Sequence, residues 1–369
     1  MNLTKRLWAL LLALTLVLGL GACGQKAQDT AADEPAATTD EPAAGDAGAE
    51  TTGEPETTEE QEPAELTEIT FVLDWTPNTN HTGVYVAQKM GYFEEAGLTV
   101  NVVQPPDGGA EMLVGSGGAQ FGVSFQDYIA PALIGEGQLP ITAVAAILQH
   151  NTSGIISRKG EGMDTPKGLE GHKYATWDLP VEKATIQQVM EADGGDFSKV
   201  ELIPSTVTDE VTALETKSVD AIWVYEGWAG VACDVAGLET DYFAFADIDP
   251  VFDFYTPVII ANNDYLTEHP DEAKAFLEAV TRGYAYCIEN PKEAADILME
   301  AVPELQGSAD LIYASQEFLA GEYQADAARW GEFDAARWSG FFQWLNDNQL
   351  LDGQVTVDAG FTNDYLPEV

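Results

Sequence analysis

Between Gly24 and Glu65 this chain contains no Leu, Ile, Val or aromatic residue. Such a stretch has nothing to bury against the entropy of ordering its backbone. It is expected to stay disordered, so whatever folds must be built from about Thr67 onward. The stretch carries thirteen acidic residues and one lysine, Lys26, and so supplies about twelve of the forty-six net negative charges. Ahead of it, Lys5 and Arg6 lead an apolar run from Leu7 to Leu18 that closes on Leu20-Gly21-Ala22-Cys23. A stable membrane span needs roughly 20 apolar residues, and this run is shorter and ends on small residues before a cysteine. Residues 1–22 therefore read as a lipoprotein signal peptide and 23–66 as a lipidated acidic linker, with Cys23 as the lipid attachment point. That places the chain on the outer face of the cytoplasmic membrane.

The charge excludes nucleic acid as a partner, because phosphates require a basic face. It also disfavours a highly anionic cargo. Only Cys233 and Cys287 remain beyond the anchor; they fit no metal spacing, and outside the cell a disulfide between them stays open. His81, His150, His172 and His269 show no paired zinc spacing. Gly115–Gly118 lacks the preceding strand of a dinucleotide fingerprint and reads as a turn, and no serine sits in a nucleophile elbow. No catalytic residue, metal or cofactor is expected.

The remaining three hundred or so residues exceed what one core usually holds, so two lobes are expected. Apolar runs predict strands at Ile69–Leu73, Leu98–Val103, Phe121–Ser124 and Ile141–Ile147, separated by helical segments. A second series follows at Lys173–Thr176, Val200–Ile203 and Ala221–Val224. The pattern is α/β: two lobes, each a mostly parallel sheet flanked by helices. Gly115–Gly118 before the strand at Phe121 has a counterpart in Lys217-Ser218 before the strand at Ala221. Those strands end in Phe125-Gln126-Asp127 and Tyr225-Glu226-Gly227-Trp228. Ligands of open α/β sheets sit beyond the carboxyl ends of the strands, so the two tips are expected to face each other across a cleft. After Asn262 the pattern is helical, with Pro270 in a first turn and Trp338, Phe341, Phe342 and Leu345 at core spacing. This tail should pack back on the first lobe, giving lobe 1 as 67–155 and 258–369 and lobe 2 as 156–257.

Leu73-Asp74-Trp75-Thr76-Pro77-Asn78-Thr79-Asn80-His81-Thr82-Gly83, then Gly91-Tyr92-Phe93, Gly122-Val123-Ser124-Phe125-Gln126 and Thr165-Pro166-Lys167-Gly168-Leu169 form a recognisable set. They resemble the NMT1/THI5-like (SsuA/THI5-like) substrate-binding proteins of ABC importers, which take up pyrimidine precursors of thiamine. The resemblance implies a type II periplasmic-binding-protein fold, monomeric, closing on a small molecule in the interlobe cleft and handing it to an ABC permease and its ATPase. Within the superfamily the ligand is an aminopyrimidine of hydroxymethyl or formylamino type, with sulfonate, nitrate, taurine or riboflavin-like ligands as alternatives. A eukaryotic branch makes the pyrimidine itself with a cysteine-rich motif and lysine-bound pyridoxal phosphate; this chain has no cysteine cluster.

An aminopyrimidine needs aromatic walls and a carboxylate or amide at its edge. Trp75 and Trp177, each just beyond a first strand, supply walls or pack at the rim. Glu226 is either the carboxylate that reads the amino edge or a solvated helix-N-terminal Glu. Asn78, His81 and Gln126 are edge candidates, with His81 equally a packed or capping residue. Asp74 reads as a loop brace. Tyr255 is hinge or wall.

Overall fold

The structure, a computed structural model, describes residues 66–368. The signal peptide, Cys23 and nearly all of the acidic linker lie outside the described residues. Ten strands form two five-stranded sheets. The first sheet uses β1 (Thr67–Val72), β2 (Leu98–Val103), β3 (Phe121–Ser124), β4 (Ile141–Ala146) and β10 (Val258–Asn262). The second uses β5 (Ser153–Arg158), β6 (Lys173–Thr176), β7 (Glu201–Pro204), β8 (Ala221–Tyr225) and β9 (Thr240–Ala244).

Their orders are β2-β1-β3-β10-β4 and β7-β6-β8-β5-β9. In each, four strands share one direction, and a single strand, β10 or β5, inserts antiparallel beside the edge strand. Strands covered on both faces read as continuous apolar runs, which is why β3, buried throughout, stood out in sequence. The inserted strands β5 and β10 are equally buried. Each lies within its own sheet, paired on both sides with strands distant in sequence.

The two sheets are joined by crossovers at 147–152 and 245–257, which are tied to each other. The Asn151 N–H donates to Asp253 Oδ1 at 2.9 Å, its Nδ2 to Phe252 O at 2.8 Å, and His150 Nδ1 meets Asp253 Oδ2 at 2.7 Å. The second sheet thus starts at Ser153. The C-terminal helix Ala335–Asp347 buries Trp338, Phe341, Phe342 and Leu345, and the segments on either side of it bridge β4, Gly331 to Ala146 before it and Phe361 to Ala143 after it. It also reaches the second lobe, where Trp344 Nε1 donates to Gln188 Oε1 at 2.7 Å. Cys233 and Cys287 are both free and buried, in separate helices.

The two lobes repeat one another at a spacing of 100 residues. Gly117 (φ 76°) and Lys217 (φ 57°) hold the same left-handed turn ahead of β3 and β8. Gly118 N–H donates to Leu113 O, and Ser218 N–H to Ala213 O. Gln120 clamps Thr70 through backbone and side chain, and Asp220 clamps Lys173 in the same way. This shared register brings the ends of β3 and β8 to equivalent positions.

Candidate functional site

The residues following the two central strands meet between the lobes. Phe125 and Tyr225, 100 positions apart, present nearly parallel rings, with centroids 6.4 Å apart and planes 16° from each other. The next residue in each lobe donates its N–H to a crossover: Gln126 to Tyr255 O at 3.0 Å, Glu226 to Thr152 O at 2.9 Å. The backbones match, but the side chains diverge. Gln126 is fully buried, giving Nε2 to Trp338 O at 2.8 Å and accepting the Tyr255 N–H on Oε1 at 3.0 Å. Glu226 is half-buried, and burial, then Glu322, Asp234 and Asp247, raises its carboxyl above the usual range.

Beside the rings lies a cavity of about 480 Å³. The first lobe contributes Asp127 and Tyr128 to it; the second contributes Leu179, Pro180 and Val181; the tail contributes Leu350 and Leu351. Burial, opposed by the N–H groups of Asp127 and Tyr128 and reinforced by Glu111, pushes the Asp127 carboxyl up to about 7. Glu111 is itself held by the Ser124 hydroxyl at the end of β3. Tyr225 is raised by burial first and then by the charge of Asp127, with smaller contributions from Tyr128 and Asp74. These tyrosines stay neutral donors across the physiological range. A smaller recess of about 240 Å³, lined by Gly115–Gly117 and His269, sits at the other end of the central strands, by the start of β3 and the close of β10.

Several of the residues singled out from sequence have internal partners. His81 is buried; Nδ1 accepts the Asn78 N–H at 3.1 Å, which leaves Nε2–H to meet Asp74 Oδ1 at 2.7 Å. Asn78 caps Asn80 N–H at 2.9 Å and gives Nδ2 to Thr76 O. The turn so braced carries Trp75, 49% exposed. Tyr255 is buried; its hydroxyl accepts the Asp334 N–H at 2.7 Å, and the Arg337 guanidinium lies 4.6 Å from its ring centroid.

Trp177, 41% exposed, leans on Trp223 with centroids 5.8 Å apart. Its loop is fixed by Glu182, a buried carboxylate that accepts from Tyr174 OH, Thr176 Oγ1, Trp177 N and Leu179 N at 2.7–3.2 Å. Glu182 was legible in sequence as an acid in the first turn after Pro180. Phe125 and Asp127 stand in the strand tip read from sequence, where Gln126 is the residue singled out; the ring pair and the cavity lining show the other two. Among the described residues no cluster of three His, Cys, Asp or Glu is arranged for a metal, and no described helix is long and apolar enough to cross a membrane.

The family model described as NMT1/THI5 like matches residues 78–294. The formylaminopyrimidine-binding protein of Halalkalibacterium halodurans is 26% identical over 303 residues, covering 81% of this chain and 90% of that protein. A 4-amino-5-hydroxymethyl-2-methylpyrimidine phosphate synthase of Saccharomyces cerevisiae is 25% identical over 272 residues, covering 66% and 74%. Among solved structures, the periplasmic aliphatic sulphonate binding protein SsuA of Escherichia coli superposes with a TM-score of 0.63 at 14% identity, over 83% of this chain and 94% of that one. That likeness concerns the fold, a two-lobed type II periplasmic-binding-protein fold. With the family model spanning more than half of the chain, through the braced turn, both strand tips and the crossovers, the protein belongs to the NMT1/THI5-like family.

Proposed function

We propose that this chain is the extracytoplasmic substrate-binding lipoprotein of an ABC importer, anchored through Cys23. It captures a thiamine-precursor aminopyrimidine, of hydroxymethyl or formylamino type, in the interlobe cleft and delivers it to a permease and its ATPase. The observation that carries this reading is the pair of facing rings, Phe125 and Tyr225, one from each lobe. Flat heteroaromatic ligands favour such stacking surfaces, and lobe closure controls the separation of the rings. Trp75 and Trp177 extend the aromatic surface at the rim. Glu226 reads the amino edge of the ring, while Asn78, His81, Gln126 and Tyr255 hold the loops that position these groups. The formylaminopyrimidine-binding relative from H. halodurans supports the same ligand class.

Small oxyanions fit less well, since they call for fixed cationic donors. Each arginine among the described residues has internal partners: Arg158 has Asp220 and Glu161, Arg282 has Glu95, Arg329 has Pro367 O, and Arg337 has Asp253. A thermal-shift panel of aminopyrimidines against alkylsulfonates and nitrate tests the reading, because saturating ligand raises stability with its concentration. A shift with sulfonates and none with pyrimidines would refute it. The synthase names of the yeast relatives favour a second reading, as a pyrimidine-forming enzyme. Product analysis with pyridoxal phosphate separates the two, since only an enzyme consumes its substrate.

A further inference from the structure

We infer that Asp127 is a specificity-determining carboxyl of the cleft, selecting ligands whose ring substituent carries a positively charged arm over those ending in a neutral group or an anion. This rests on the reading of the cleft as a pyrimidine site and goes further, to the substituent that the site takes.

Three independent features converge on this residue. It lines the cavity between the lobes, whose volume of about 480 Å³ falls within the usual range for small-molecule sites, roughly 300–1,000 Å³. The wall around it is mostly apolar, with Tyr128, Pro131 and Ile134 from its own lobe and Leu179–Val181 from the other, and the one further acid in it is Asp352 of the C-terminal tail. No lysine, arginine or histidine is in this lining. Its position is also asymmetric: Asp127 corresponds to Gly227 in the hundred-residue repeat, so the second lobe has no matching group.

The local electrostatics give the sign of the preference. Glu111, pinned by Ser124, adds negative charge at the same place, and burial further disfavours an ionised Asp127. A ligand ammonium arriving here relieves both penalties, whereas a neutral hydroxyl or amide N–H donates a hydrogen bond without offsetting charge. An anionic arm would add a further like charge to Asp127, Glu111 and Asp352. Glu226, facing Glu322, Asp234 and Asp247, belongs to a different set of charges and is assigned the ring edge.

The test is calorimetric titration of the full-length protein and of D127N with three aminopyrimidines that differ only at one arm: aminomethyl, formylaminomethyl and hydroxymethyl. For the wild type at about pH 8, where the Asp127 carboxyl is largely ionised, the aminomethyl compound should bind roughly ten-fold tighter than the hydroxymethyl one. That ratio should shrink toward unity at about pH 6 and in D127N at either pH, since both conditions remove the carboxylate. E226Q should weaken all three ligands while keeping the ratio. A circular-dichroism melt of each variant separates a folding defect from a binding one, and Asp127→Ser provides a second variant if D127N folds poorly. An aminomethyl-to-hydroxymethyl ratio that D127N leaves unchanged, or a wild type that prefers the hydroxymethyl arm, overturns the assignment of Asp127 alone. Failure of every pyrimidine to bind the wild type overturns the proposed function and this inference together.

Discussion

Gln126 and Glu226 occupy the same place in two copies of one architecture and do opposite things. Each follows a buried central strand, and each donates its main-chain N–H to the crossover that brings the chain into its own lobe. Gln126 then turns its amide inward and satisfies Tyr255 and Trp338. Glu226 keeps a half-buried carboxyl among other acids. A neutral amide can be both donor and acceptor inside a core, so it locks a crossover cheaply. A carboxylate can only accept, and its burial is tolerated where a ligand can supply the donor. The repeat therefore separates an amide that stabilises from a carboxyl that is free to bind.

The largest effect that would break this comparison is on stability. Gln126→Ala strands the buried Tyr255 N–H and removes the second bond to the helical Trp338 carbonyl, and should cost about 1–3 kcal/mol in a denaturant titration. A loss below about 1 kcal/mol would mean that the amide does not lock the crossover. Next is Glu226→Gln, which should weaken pyrimidine binding roughly ten- to hundred-fold by calorimetry, the value of a charged hydrogen bond.

The same variant has a stability signature of known sign. The folded protein holds the Glu226 proton more tightly than the unfolded chain does, so its stability falls as pH rises from the usual carboxylate range to the raised folded value. E226Q should thus melt higher than wild type at about pH 8 and match it at about pH 4. Equal melting at both would show that the Glu226 carboxyl is not disfavoured by the fold.

Smaller effects test whether the rings act as a pair. Phe125→Leu and Tyr225→Leu should each weaken ligand binding roughly two- to ten-fold, the contribution of one aromatic face. If only one of them does, the ligand stacks on a single lobe. The smallest concerns the shared turn. Gly117→Ala should cost about 1 kcal/mol from its left-handed backbone alone, because the added methyl meets open space. Lys217→Gly should gain up to about 1 kcal/mol, less whatever its exposed ion pair with Glu161 contributes.

Much of the architecture is written locally. The parallel strands announce themselves as short apolar runs between helical segments, and Leu98–Val103, Phe121–Ser124 and Lys173–Thr176 fall where those runs do. The helix carrying Trp338, Phe341, Phe342 and Leu345 is legible because burial on one face imposes a helical period. The missing strands are β5, β9 and β10. Two of them are the antiparallel insertions that join the lobes, and their extended form depends on partners more than 60 residues away in sequence.

The site divides the same way. Asp74, Asn78 and His81 lie within eight residues and brace one turn, so their local chemistry is readable in order. Trp75 and Trp177 are marked by their place beyond a first strand. Sequence alone left the roles of Gln126 and Tyr255 open, because what each bonds lies far along the chain: Trp338 for one, Asp334 for the other.

By itself the sequence determined the two-lobed α/β class, the repeated strand tips and the acid-rich character that turns away nucleic acid, since each follows from periodicity or composition along a contiguous stretch. Only the tertiary structure decided which polar groups at those tips are spent and which are free. That depends on whether a distant segment arrives with a matching donor or acceptor: the crossover and the C-terminal helix reach Gln126, whereas Asp127 is left against an apolar cavity.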